Sequence, residues 1–323
     1  MKAAVIYQLG GMPVLADVPE PEIQNEDELI MTVHAAAVKH IDRSTAQGTH
    51  YSTRGDKDRA KIIGGDGVGH LDDGRRVYAI GTGGTIAEKA LVHRDRVVAL
   101  PERLDDLSAA ALPNAVIGSA MGLRFRAGLK KGETVLINGA TGFTGRVAVQ
   151  MARYYGAGRI VVTGRNERAL QSLAALGAAE IIPICQDDDA FIARLKESHG
   201  HSPFDVVVDY LWGHTAELIL SCLKGKGSFT HRTRFVSVGA ITGDIIRLSA
   251  ENLRSVDLQI SGSGLGSWTR DQVRELFTDM LPTAFRLASE HQLIVDTVPV
   301  ALKDIEKIWD MDIAGGERLV VTL

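Results

Sequence analysis

Cysteine is almost missing from this chain: Cys185 and Cys222 are the two in 323 residues. Two thiols cannot build a disulfide framework or a four-cysteine zinc lobe, and both are expected to be buried and reduced, as suits a cytoplasmic protein. Aromatic residues make up only 5%, so the cores must be mainly aliphatic. Long apolar runs are lacking too. The longest candidate, Leu29–Val38, is interrupted by Thr32 and His34, well short of the roughly 20 residues that cross a bilayer. The opening segment is apolar only as far as Tyr7 and soon turns acidic, which reads as a poor signal peptide. Nor is there an excess of positive charge: 36 Lys and Arg against 40 Asp and Glu leave −4. These absences argue against a membrane protein, a disulfide scaffold and a general nucleic-acid binder. With 45% hydrophobic and 24% charged residues the chain is ordinary globular material, long enough for about two domains.

Glycine is in excess, with 34 residues against a usual level of about 7%. No G-X-Y period accompanies it, so the glycines mark tight turns and at least one loop lying close to a ligand. Residues 1–100 read as short strands (Lys2–Tyr7, Glu28–Val33, Arg76–Ile80, Glu88–Val92) punctuated by glycine turns, the pattern of an all-β barrel or sandwich-like module. A helical stretch, Ser108–Gly128, then leads into alternation. Strands are predicted at Thr134–Asn138, Arg159–Thr163, Glu180–Pro183, Phe204–Tyr210, Arg234–Val238 and Asp257–Ser261. Helices are predicted at Gly142–Tyr155, Glu167–Leu176, Asp189–Ser198 and Thr215–Leu223. Runs as continuously apolar as Val206–Val208 belong to a parallel sheet covered on both faces, so the fold class is α/β with a doubly wound sheet. Residues 271–291 look helical, and Ile294–Val300, Lys303–Trp309 and Leu319–Leu323 return to strand–helix–strand. The expected division is a β module over 1–115, completed by 287–323, and a nucleotide-binding domain over 116–286.

The strongest signal is Thr134-Val-Leu-Ile-Asn-Gly139-Ala140-Thr141-Gly142-Phe143-Thr144-Gly145, a strand running through Gly-x-x-Gly-x-x-Gly into a helix. Gly139 permits the sharp turn, Gly142 lets backbone approach a pyrophosphate, and Gly145 lets the helix pack closely on the sheet. The helix N-terminus then offers free N–H groups to the phosphates. Along that helix Arg146, Gln150 and Arg153 form a wet stripe, and Val147, Met151 and Tyr155 a packed one. The next strand ends in Gly164-Arg165-Asn166-Glu167-Arg168. An NAD site usually places an acid at this tip for the ribose. Arg165 and Arg168 instead suit a 2′-phosphate, so the expected cofactor is NADPH. The alternative keeps the arginines solvated and puts Glu167 on the ribose.

At this point the chain resembles the medium-chain dehydrogenase/reductase superfamily, specifically its zinc-free quinone oxidoreductase branch. The resemblance runs through Met1–Tyr7, Ala87–Val92, Leu112-Pro113, Ser119-Ala120, the Gly139–Gly145 loop with Gln150, Phe204–Asp209 and Leu319–Leu323. It implies a GroES-like β module plus a Rossmann domain, a cofactor held between them, and a homodimer joined through the Rossmann sheets. It also implies that Ser119, Val238, Gly239, Ala240, Gly262 and Ser263 lie along the cofactor. Zinc-dependent relatives carry a Cys where this chain has Lys39, and Gly-His-Glu where it has Gly64-Gly65-Asp66. A protonated ammonium cannot ligate zinc, so no metal is expected. Departures from the quinone oxidoreductases are Lys39-His40, His50-Tyr51, a short Gly69–Gly74 loop and a basic stretch between Leu223 and Phe235 that looks inserted. All are expected around the substrate pocket.

Hydride transfer needs the nicotinamide held against an electron-poor acceptor with water excluded, and the cofactor performs the redox step. A quinone takes its protons from solvent, whereas an enone or enal gains from a donor on its carbonyl oxygen. Lys39 and Tyr51 are the candidate catalytic residues, with His40 and Asp66 behind them, and Asp42 is expected to be structural. For Lys39 the competing reading is an ion pair with Asp42 or Asp66. Arg232 and Arg234 are candidates for a phosphate or for a solvated loop. Two other functions compete: a non-catalytic NADPH-binding redox sensor, and a short-chain dehydrogenase. The second is opposed by the late position of the glycine loop and by the lack of any Tyr-x-x-x-Lys pair.

Overall fold

Short, glycine-punctuated strands at the start of the chain close on themselves. The computed structural model describes residues 1–53, 60–184, 187–311, 313 and 315–323. In chain order the first elements are β1 (Lys2–Ile6), β2 (Val14–Asp17), β3 (Glu28–Ala37), α1 (His40–Ala46), β4 (Lys61–Ile62), β5 (Asp66–Leu71), β6 (Arg76–Gly81) and β7 (Lys89–Ala99). A small sheet has the order β2-β1-β4. The larger one runs β3-β5-β6-β7, and β7 pairs back onto β3, which makes the module a small barrel. Where β3 bulges between Val33 and Ala35, β5 crosses it so closely that a Cβ on Gly69 would lie 1.9 Å from the Thr32 carbonyl oxygen. Gly69 therefore belongs to a strand, not to the loop expected over Gly69–Gly74.

Helix α2 (Asp106–Met121) carries the chain into β8 (Thr134–Asn138), α3 (Phe143–Tyr154), β9 (Arg159–Gly164), α4 (Glu167–Ser172), β10 (Glu180–Pro183) and α5 (Asp188–His201). There follow β11 (Val206–Asp209), α6 (Gly213–Cys222), β12 (Thr233–Ser237), α7 (Ala250–Ser255) and β13 (Leu258–Gly262). These six strands form one parallel sheet, β10-β9-β8-β11-β12-β13. Its order reverses between β8 and β11, the switch point at which such sheets take ligands. Strands β8 and β11 are buried along their whole length. After α8 (Arg270–Glu275) and α9 (Leu281–Ser289) come β14 (Asp296–Ala301), α10 (Ile305–Ile308) and β15 (Glu317–Thr322). Strand β15 pairs with β14 and with β3, so the chain end completes the first sheet. The chain divides into two units, Met1–Asn114 with Phe277–Leu323, and Ala115–Leu276. The first is a GroES-like β module and the second a Rossmann doubly wound parallel sheet, the expected fold class.

Several expectations change. Helices α1 and α7 stand where the sequence predicts no helix. The wet stripe on α3 is narrower than the sequence implies: Gln150 is buried and donates to the Arg146 carbonyl at 3.2 Å. The cause is that α3 packs on β8, on β9 and on the turn Leu173–Leu176, so only Arg153 and Tyr154 of its second half reach solvent. The basic stretch before β12 does not border the ligand edge. It precedes the amino end of β12 and is tied down there: His231 contacts Asp205 Oδ1 at 2.7 Å, Arg232 donates to Gln259 Oε1 at 3.2 Å, and Arg234 pairs with Glu133 at 2.6 Å. Parallel strands offer ligands their carboxyl ends, so Arg232 and Arg234 are structural here. Cys222 is buried, and burial pushes its thiol up to about 12, which makes it inert. Cys185 lies outside the described residues. Among the described residues no helix is long and apolar enough to cross a membrane.

Candidate active site

The five buried residues of β8 deliver the chain to Gly139, whose φ of +84° suits only glycine. The amides of Gly139 and Ala140 donate to the Thr163 carbonyl at 3.2 and 2.9 Å, which fastens the loop to β9. Gly142 is the N-cap of α3 and has no side chain to cap with. The amides of Thr141, Thr144 and Gly145 therefore make no hydrogen bond among the described residues. Open amides at a helix mouth are donors for an anion. Around Gly142 an added Cβ would meet nothing nearer than 3.8 Å, so that glycine keeps the mouth open. The third glycine differs from expectation. A Cβ on Gly145 would lie 2.6 Å from both Ala140 Cα and the Gly139 oxygen, so it lets the helix close on the loop rather than on the sheet. Ala140 and Phe143 are buried. Thr144 Cγ2 would lie 3.0 Å from a Cβ on Gly118.

One rim of this cradle is the tip of β9. A Cβ on Gly164 would lie 2.8 Å from Thr141 Cγ2, so the loop rests on the strand end. Asn166 Oδ1 accepts from the Ala169 amide at 3.0 Å and caps α4. Arg165 and Arg168 are exposed and neither makes a hydrogen bond or ion pair among the described residues. Among the described residues no acid is bonded to either guanidinium.

The other rim is the tips of β12 and β13. The amides of Val238 and Gly239 donate to the Asp209 carbonyl at 2.8 and 3.2 Å, which engages them internally, while Ala240 is exposed. Gly262 is exposed with open space where a Cβ would be. Ser263 is buried and its hydroxyl accepts from Trp268 Nε1 at 3.3 Å. Ser119 is buried on α2, with its hydroxyl turned back onto the Ala115 carbonyl at 2.6 Å, a common helical back-bond. Ser119 and Ser263 thus direct their hydroxyls to the protein, while the exposed Asn166 engages its Oδ1 as a helix cap.

In the first unit the structure joins Lys39 to both acids. Its ammonium contacts Asp66 Oδ1 at 2.5 Å, Asp42 Oδ2 at 2.9 Å and the Ala37 carbonyl at 3.1 Å. All three charged groups are buried. Burial alone would lower the lysine's pKa, but the two carboxylates outweigh it and raise it. Asp66 Oδ2 also accepts from the Tyr78 hydroxyl at 2.8 Å, and Asp42 Oδ1 from the Gly65 amide at 3.1 Å. Arg318, half-buried, is close enough to feel both acids, and Arg43 is close enough to weigh against it. The ammonium has three protons and three internal acceptors, so it has none to offer a substrate. Tyr51 is elsewhere: it is exposed, in the turn Tyr51–Thr53, with its ring 4.2 Å from that of His50. Sequence reasoning missed Asn138, Thr163 and Arg318, and singled out Asp209 only as the end of a strand. The available signal was a polar side chain closing an apolar strand at its ligand-binding end.

Residues 144–283 match the model of the zinc-binding dehydrogenase family. The donor set for a zinc ion does not fit: among the described residues no three His, Cys, Asp or Glu side chains are grouped to hold a metal, and Asp42 and Asp66 are engaged by an ammonium. Over the full length of both chains the fold matches that of a mycobacterial quinone oxidoreductase, at a TM-score of 0.85 and 19% identity. The quinone oxidoreductase of Thermus thermophilus, solved also with NADPH, matches over the full length of both chains at a TM-score of 0.79 and 27% identity. The quinone oxidoreductase of Sus scrofa is 30% identical over 288 residues, 85% of this chain and 84% of its own. With the barrel, the switch-point glycine loop and this extent of likeness in hand, the chain belongs to the medium-chain dehydrogenase/reductase superfamily, in its quinone oxidoreductase branch.

Proposed function

We propose that the protein is a zinc-independent, NADPH-dependent oxidoreductase that reduces a quinone or an activated alkene or carbonyl compound, and that it works as a cytoplasmic homodimer. The observation that carries the cofactor reading is the pair of exposed guanidiniums, Arg165 and Arg168, without a partner among the described residues, on the strand tip against which the loop with the open amides of Thr141, Thr144 and Gly145 rests. The Thermus thermophilus relative, crystallised with NADPH, supports it, and the Sus scrofa quinone oxidoreductase supports the substrate class. When bound, NADPH supplies the hydride. The diphosphate would rest on the Gly139–Gly145 loop, and the 2′-phosphate on the two arginines. Ala240 and Gly262 would flank the far end. Lys39 is assigned a positioning role, since its protons are engaged by Ala37, Asp42 and Asp66. A quinone needs no protein acid, and for an enone the exposed Tyr51 hydroxyl is the remaining candidate donor.

Turnover tests the reading: NADPH consumption with phenanthrenequinone, followed at the nicotinamide absorbance, should be measurable and should persist in chelator. Activity lost to chelator and restored by zinc would overturn zinc independence. Tight NADPH binding with no quinone, enal or enone reduced would favour the sensor. The double variant Arg165→Ala/Arg168→Ala should weaken NADPH by about 1–3 kcal/mol, the scale of lost charged hydrogen bonds, and leave NADH nearly unchanged. Equal loss for both cofactors would move the arginines off the 2′-phosphate.

A further inference from the structure

Beneath the glycine loop lies a buried polar row with no part in the cofactor contacts above. Thr163, Asn138, Asp209 and Ser237 stand at one register across β9, β8, β11 and β12. The first three are wholly buried. Their bonds run in one direction. The Thr163 hydroxyl donates to Asn138 Oδ1 at 2.6 Å, and Asn138 Nδ2 donates to Asp209 Oδ1 at 2.7 Å and to Thr215 Oγ1 at 3.1 Å. Asp209 ends the row as an acceptor. Its Oδ1 also takes the Leu211 amide at 3.0 Å, and its Oδ2 the Trp212 amide at 3.1 Å.

A buried carboxylate needs such donors, and here each leads to the cradle. Asn138 immediately precedes Gly139. The side chain of Leu211 covers Gly139 so closely that a Cβ there would lie 2.9 Å from it. Trp212 is held at a φ of 58°, a region bulky residues rarely adopt. The turn it forms is gripped from the other side by Thr242, whose amide donates to the Leu211 carbonyl at 2.9 Å. The Asp209 carbonyl meanwhile takes the Val238 and Gly239 amides. One residue thus ties together three loops at the ligand edge of the sheet.

We propose that Asp209 is a positioning residue for the dinucleotide site: its carboxylate, through Asn138 and the Leu211–Trp212 turn, sets the shape of the Gly139–Gly145 loop. This rests on the dinucleotide reading above. In Asp209→Asn one carbonyl oxygen must serve donors that two oxygens served, and the new NH2 faces another N–H. Calorimetry should find NADPH bound at least tenfold more weakly. A second variant, Thr163→Val, keeps the shape of the side chain but removes the donor that holds Asn138 Oδ1, so the amide is no longer fixed with its N–H groups toward Asp209. It should bind NADPH at least twofold more weakly. An Asp209→Asn protein that binds within twofold of the unaltered protein overturns the proposal, as does a folded Thr163→Val protein that binds within twofold. If Asp209→Asn does not fold, by circular dichroism, Thr163→Val decides alone. Folded with binding weakened twofold or more, it supports the proposal; folded with binding within twofold, or unfolded as well, it overturns it. Absence of NADPH binding by the unaltered protein would instead sink the dinucleotide reading itself.

Discussion

Replacing Lys39 by methionine should cost about 3–5 kcal/mol of folding stability, the usual effect of removing one partner from a buried ion pair. Asp42 and Asp66 would both be left buried and facing each other without the ammonium that now lies 2.9 and 2.5 Å from them. Urea denaturation at neutral pH measures the loss. The double variant Lys39→Met/Asp66→Asn removes one stranded acid and leaves Asp42 to balance Arg318, and should recover part of it. The pH dependence has a definite sign. Because the lysine's pKa is raised in the folded state, its contribution is complete below the unfolded value of about 10.4 and fades as pH rises through the higher folded value. A loss below about 1 kcal/mol, the scale of an exposed pair, would mean that the cluster does not hold the barrel.

The second large effect is expected at Gly145. Alanine there puts its Cβ 2.6 Å from the backbone of Ala140 and Gly139, and backbone cannot step aside as a flexible side chain can. Overpacking of this kind costs about 1–3 kcal/mol, and the atoms that must move are the cradle itself. Gly145→Ala should therefore lower both the melting temperature and the affinity for NADPH. Gly142→Ala is the contrasting case. Its φ is −72° and its surroundings are open, so stability should stay within about 0.5 kcal/mol. A diphosphate approaching that backbone would still meet the new methyl, and NADPH should bind at least about tenfold more weakly, ~1.4 kcal/mol. Calorimetry and a thermal melt on the two proteins separate these effects. Unchanged NADPH affinity in Gly145→Ala would mean that the loop does not seat the phosphates.

Much of the second unit is legible in the order of its residues. Strand β8 falls where its apolar run ends, because a strand covered on both faces has no polar position to blur its limits. The glycine loop is legible because turn, cap and helix start are all local. The reasons for its glycines are less so. The motif's spacing puts Gly145 against the sheet, yet it meets the loop, a difference of a few ångströms that spacing along the chain does not encode. Helix α1 escapes notice because it is only His40–Ala46, directly after the long apolar β3, and its first turn is organised by a lysine that looks available for chemistry. The basic residues around Arg234 suit a ligand by composition; their role follows from lying at the amino end of a parallel strand.

By itself the sequence determined the α/β class, the alternation of the second unit, and a glycine loop between strand and helix with two arginines after the next strand, since each depends on neighbours within a few turns of chain. Only the tertiary structure decided which charges neutralise one another. Lys39, Asp42, Asp66 and Arg318 come together after β3, β5 and β15 have paired into one sheet. An ion pair is defined by distance and burial, and both exist only once the barrel has closed.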